Sequence, residues 1–194
     1  MSLLLRGVVS WALVALALSL PAEAQETSWR VMSGEVRVVC PMTVGGSFDA
    51  TTTALEGVVA ADESGPLRGS IEVDLTTLDT GIELRDTHLR DTYLEVDRGR
   101  NFARAVLSGI VLDGADPRTF EGETTFTATF RLHGVERPVA GVAELERTPD
   151  GIGVVAHFPV VLSDHAIQAP RYLGVGVSDQ VQAEVRFSAV REPE

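Results

Sequence analysis

Residues 67–75 read Leu-Arg-Gly-Ser-Ile-Glu-Val-Asp-Leu, placing Leu67, Gly69, Ile71, Val73 and Leu75 on one face and Arg68, Ser70, Glu72 and Asp74 on the other. A period of two is the mark of a half-buried strand. It recurs from Phe120 to Leu132, where Gly122, Thr124, Phe126, Ala128, Phe130 and Leu132 share a side. It recurs again at Ile152, Val154, Ala156, Phe158, Val160 and Leu162, and at Val181, Ala183, Val185, Phe187 and Ala189. A chain patterned this way must bury one face of many strands, which a sandwich or a barrel achieves. One helical stretch breaks the pattern, centred on Arg85-Asp86-Thr87-His88-Leu89-Arg90. Thr80-Gly81-Ile82-Glu83 reads as its capping box, Ile82, Leu89 and Tyr93 fall on one helical face, and Asp86 and Arg90 stand at i and i+4 with the acid first. No βαβ rhythm is present, so the strands are expected to be antiparallel. About eight of them close into a barrel with room for side chains or one small ligand. The expected fold is all-β, an eight-stranded antiparallel barrel with one short helix after the third or fourth strand.

The first residues are set apart from this pattern. Arg6 precedes a short apolar run from Val8 to Leu20, Pro21 ends it, and Ala22-Glu23-Ala24 offers an A-x-A cleavage site before Gln25. This is the layout of a secretory signal peptide over 1–24, with one domain expected over 25–194 and a periplasmic or secreted location. The run is short for a membrane span, so no stable span is expected after cleavage. The chain has 28 acidic and 16 basic residues, all arginine, for a net charge of −12. Cleavage removes Glu23 and Arg6, one of each sign, and leaves that balance unchanged. Such acidity argues against nucleic acid, which needs a cationic footprint, and against electrostatic docking on anionic lipid. Cys40 is the single cysteine; it lies in the Val-rich run Glu35 to Cys40, read as the first strand, and is expected to be a buried structural thiol.

Between the alternating runs, Gln25 to Ser33 reads as a polar lead-in. Asp62-Glu63-Ser64-Gly65-Pro66 and Thr148-Pro149-Asp150-Gly151 read as turns. Asn101 to Ile110 reads as a strand whose register the pattern leaves open, and Ser163 to Gly176 as a longer connection. No internal repeat or second domain is visible.

Signatures of chemistry are sparse. His88, His133, His157 and His165 are scattered without zinc-ligand spacing, and Cys40 has no cysteine partner, so no metal site is expected. There is no G-x-S-x-G nucleophile elbow, and Gly174-Val175-Gly176 opens no helix after a βα turn. The cluster Arg85, Asp86, His88 and Arg90 has two readings: a polar rim at a cavity mouth that meets a ligand headgroup, or a solvated helix face with an ion pair fixing the helix to a strand. An exported enzyme using His88 or His133 with nearby acids is the weakest reading.

Four segments together carry a family resemblance. They are Gly46-Ser47-Phe48-Asp49 with Leu55-Glu56-Gly57; Val73 to Gly81 followed by Arg85 to Arg90; Thr129 to Val139; and Pro170 to Val181. In that order they resemble the YceI-like family across nearly the whole of 25–194. The resemblance implies a secreted or periplasmic, lipocalin-like eight-stranded barrel whose apolar cavity holds a polyisoprenoid or other amphiphile, without catalysis, and often a homodimer. The segment Tyr93 to Phe102 departs from the family in having no proline, and Cys40-Pro41 stands where a longer apolar strand is expected.

The expected function is therefore binding, not turnover. The barrel interior would be lined by Val36, Val38, Ile71, Val73, Phe126, Phe130, Val154, Phe158, Val185 and Phe187, with Arg85, Asp86, His88 and Arg90 at its mouth. The partner would be a hydrophobic small molecule or lipid, with no cofactor apart from a bound isoprenoid or fatty lipid. The alternative is a filled, ligand-free β-domain acting in stress or interaction through its acidic face. Inward positions rich in Val, Ala and Gly suit a hollow barrel and a tapered solid core equally.

Overall fold

In the computed structural model of the chain, residues 27–61, 67–172 and 175–192 are described. The expected signal peptide, 1–24, and the turn cluster Asp62 to Pro66 lie outside them. The strands in chain order are β1 (Thr27–Pro41), β2 (Ser47–Thr52), β3 (Leu55–Ala61), β4 (Leu67–Asp74), β5 (Arg104–Leu112), β6 (Gly122–Leu132), β7 (Val135–Thr148), β8 (Gly151–Val161), β9 (Arg171–Tyr172), β10 (Val175–Gly176) and β11 (Gln180–Arg191). Between β4 and β5 lie α1 (Glu83–Thr87), which continues as a π-helical turn over His88–Tyr93, and a single turn, α2 (Arg100–Ala103).

All main-sheet pairings are antiparallel, each strand from β3 to β8 beside its chain neighbour, and β11 returns to pair with β1 as well as β8. β2 and β3 form one stave. Arg30 pairs with Val58 and Val36 with Thr52, six residues along each strand, so the register runs unbroken across the gap at Thr53 and Ala54. Counting that stave once, the barrel closes on eight walls, as the alternation predicts. Closure removes the free edges that an open sheet would present.

The first strand is longer than the sequence suggests. The expected lead-in, Gln25 to Ser33, is strand from Thr27 onward, with Trp29 and Val31 buried. The register against β11 shifts between Val31 and Ser33, so the inward positions change from odd to even numbers and a single alternation does not span the strand. β4 carries a similar bulge between Leu67 and Ser70. There Gly69 has φ +93°, and a β carbon on it would lie 2.1 Å from the Val58 carbonyl oxygen, so the bend needs glycine. The strand expected over Asn101 to Ile110 starts at Arg104, because 100–103 form the helical turn.

The segment between β4 and the helix is stitched to the edge of β2. Thr51 and Asp79 exchange backbone hydrogen bonds of 2.8 and 2.9 Å, and the Thr52 and Thr77 hydroxyls lie 2.6 Å apart. The helical stretch is thereby held across one end of the barrel.

Candidate functional site

The inward faces enclose two apolar cavities. The larger, about 150 Å³, lies toward the helical end. Val36, Val38, Val73, Phe130, Phe158 and Val185 line it. The smaller, about 60 Å³, lies toward the other end and is lined by Ile71, Phe126, Val154 and Phe187, with Val59, Leu107, Ile110 and Leu145 among their neighbours. The ten expected lining residues thus divide six and four between two compartments.

The larger cavity also has walls that the alternation did not single out. Leu78 comes from the turn after β4, Leu89 and Tyr93 from the helical stretch, and Ile167, Pro170 and Val177 from the connection after β8. Leu89 and Tyr93 had a signal, their shared helical face. Ile167 and Pro170 had none, because they follow a 3₁₀ turn, Leu162–His165, and an Ala166 in the left-handed region at φ 58°.

Cys40 is buried and also lines this cavity. Burial, the largest influence, and the nearby Asp49 charge push its thiol up to about 11. At pH 8 only about one thiol in a thousand would then be ionised, and the thiolate is the nucleophile. Native protein is expected to resist iodoacetamide at pH 8, while unfolded protein takes one equivalent, read by intact mass. Equal rates in the two states would contradict this placement.

The quartet Arg85, Asp86, His88 and Arg90 lines neither cavity. Asp86 is buried, and its Oδ1 accepts the Thr80 N–H at 2.7 Å and the Thr80 hydroxyl at 2.5 Å. These bonds hold the Asp86 carboxyl below the usual carboxylate range, against its own desolvation, which pushes it up. Arg85 donates to the Thr80 hydroxyl and carbonyl oxygens, both at 2.9 Å, and its guanidinium sits 4.2 Å over the Phe48 ring. Arg90 donates to the Asp86 and Thr76 carbonyls, and His88 is exposed. Three of the four therefore fasten the helix to the segment before it, which favours the structural reading of the cluster over the polar rim. The capping box is corrected too. Thr80 gives its proton to Asp86, and the helix begins after Ile82 without a side-chain cap.

Other polar side chains gather at an open cleft. This cleft, of about 860 Å³, shares Tyr93, Ile167 and Pro170 with the larger cavity and adds Ser163, Gln168, Arg171 and Asp179. Behind this end sits a histidine pair. His133 Nε2 is 2.9 Å from Glu95 Oε2, its Nδ1 is 3.1 Å from the His165 carbonyl oxygen, and His165 Nδ1 is 3.1 Å from the Val135 carbonyl oxygen. Glu95, His133 and Ala166 all have positive φ, so three strained turns meet here. Burial pushes the His165 imidazole down, and its ring backs edge-on against Phe130 at 5.5 Å. Neither His133 nor Glu95 lines a cavity. Among the described residues no cluster of three or more His, Cys, Asp or Glu could hold a metal, and no helix is long and apolar enough to cross a membrane.

A family model, described as a YceI-like domain, matches residues 23–189. No curated protein matches the chain. A polyisoprenoid binding domain from Saccharophagus degradans, implicated in plant cell wall breakdown, superposes with a TM-score of 0.64 at 15% identity, covering 84% of this chain and 98% of that one. BcnA of Burkholderia cenocepacia superposes with a TM-score of 0.65 at 13% identity, covering 81% and 96%. A YceI protein of Campylobacter jejuni gives 0.51 at 16%, covering 72% and 82%. At these identities the likeness is one of fold.

Proposed function

The chain belongs to the YceI-like domain family, and from that membership we propose that it is an exported, periplasmic or secreted binding protein for an isoprenoid or other amphiphilic lipid. The observation that carries this reading is the larger cavity, apolar along its walls and sharing Tyr93, Ile167 and Pro170 with a cleft that also carries polar side chains. An amphiphile fits that sequence of surfaces, tail inward and headgroup among Ser163, Gln168, Arg171 and Asp179. The polyisoprenoid binding domain with the same fold supports the choice of ligand class.

The volume bounds the inserted part. Engineered apolar cavities of about 150 Å³ take benzene, so this one suits a group of about six carbons, close to one isoprene unit. At about 0.8 kcal/mol per methylene-sized group, five carbons contribute roughly 4 kcal/mol. That alone corresponds to a dissociation constant of about 1 mM. Tighter binding must draw on carbons lying over Tyr93, Ile167 and Pro170.

The test is extraction of the protein, purified from its host compartment, into organic solvent for mass spectrometry. Wild type is expected to release a lipid. Ala183→Phe, which puts a ring into the cavity from β11, is expected to fold and release none. A wild type without lipid, or an Ala183→Phe protein that keeps it, would overturn the reading. A lipid-free wild type would favour the alternative of a ligand-free interaction domain, which the small size of the second cavity also suits.

A further inference from the structure

Three phenyl rings stand between the two cavities. Phe158 on β8 contacts Phe130 edge-to-face at 5.4 Å and Phe126 at 6.1 Å, both on β6. These are favourable aromatic geometries. Phe130 and Phe158 face the larger cavity and Phe126 faces the smaller. Neighbouring inward positions divide the same way on two other strands: Val73 from Ile71 on β4, and Val185 from Phe187 on β11. The partition is therefore one layer of side chains thick.

The strand between β6 and β8 is shaped to admit these rings. Gly141 of β7 pairs with Phe126. A β carbon on it would lie 2.8 Å from Phe126 Cε1, 2.8 Å from Phe158 Cβ and 2.3 Å from the His157 carbonyl oxygen. No side chain of β7 can stand where the rings meet.

We propose that this aromatic septum sets the length of hydrocarbon tail the barrel accepts, with Phe158 as the specificity-determining residue and the smaller cavity as the space it withholds. The inference rests on the lipid-binding reading of the larger cavity. A tail entering past Tyr93 and Pro170 stops at Phe130 and Phe158. Without the Phe158 ring, the two cavities join and the tail advances toward Ile71 and Phe187. Pockets separate hydrocarbon ligands by roughly tenfold or more per methylene when the fit is tight, so a change in depth is readable as a change in chain-length preference.

The experiment titrates delipidated full chain with geraniol, farnesol and geranylgeraniol, followed by native mass spectrometry. Phe158→Ala is expected to raise the affinity ratio of geranylgeraniol to geraniol by about tenfold over wild type. Phe158→Leu and Phe126→Leu, which keep more of the core volume, are expected to raise it in the same direction and carry the test if the alanine variant does not fold. Val31→Ala, a buried position lining neither cavity, is expected to leave the ratio at its wild-type value. Folded septum variants with the wild-type ratio would overturn the proposal. So would a wild type that binds all three alcohols equally. A wild type that binds none of them overturns the lipid-binding reading itself, a failure distinct from an unchanged ratio.

Discussion

Phe126→Asp is expected to yield no folded protein. Phe126 is 3% exposed at the centre of the barrel, against Phe158 and the smaller cavity. Truncating a buried phenylalanine costs about 3–5 kcal/mol. Placing an unpaired carboxyl in the same site adds several more, even when it takes up a proton. The whole stability of a domain is about 5–15 kcal/mol. Glu72→Ala is the matching control on the outer face of β4, where the carboxylate pairs with the largely exposed Arg100 at 3.0 Å. Loss of such a pair costs at most about 1 kcal/mol. Soluble yield and thermal unfolding followed by circular dichroism distinguish the two. A cooperative melt of the aspartate variant near the wild-type temperature would mean that the inward face of β6 is misassigned.

Asp86→Ala is expected to cost about 2–3 kcal/mol, the range for removing a charged acceptor from buried donors. At this chain length that lowers the melting temperature by about 5–10 °C. The carboxylate takes both the amide and the hydroxyl of Thr80, and Arg85 is built onto the same threonine. Removing it frees the helix that carries Leu89 and Tyr93. Asp86→Asn, which keeps one acceptor oxygen, is expected to fall between wild type and alanine. The effect has a defined pH dependence. The folded state holds the Asp86 carboxyl below its ordinary value of 3.8, so the native chain binds this proton less readily than the unfolded chain. The contribution is therefore complete above about pH 4 and is lost as pH falls through the lowered value. Melting temperatures of wild type and Asp86→Ala, measured from pH 7 down to pH 2, are expected to converge only at the acid end. A constant gap would assign the loss to packing instead of charge.

The barrel was legible because its long strands repeat every two residues without interruption. On β6 the whole set from Thr124 to Leu132 is buried at alternate positions. β1 was legible only in part, since its bulge after Val31 reverses which positions face inward. Polar Ser28, Arg30 and Ser33 then read as a loop, although Trp29 beside them is 2% exposed. The helical cluster kept two readings for a different reason. Sequence spacing identifies which side chains share a helix face, but it does not show that Thr80 will be claimed by an acid six residues later. The ten expected inward residues line the two cavities, but not all of the residues that line them come from alternation. Alternation describes a wall, whereas where a cavity ends depends on which rings of different strands meet, and the lining at its helical end depends on turns such as the one at Ala166 that have no period.

The pairing of β1 with β11 joins Trp29–Val39 to Gln182–Arg191. These partners are separated by nearly the full length of the described chain, so this zipper forms at the greatest loop-closure cost in the molecule. Folding is expected on the millisecond-to-second scale of domains dominated by non-local pairing. Until they pair, β1 and β11 each offer a bare edge to any neighbouring chain, and a chain open at this seam is the form most prone to aggregate.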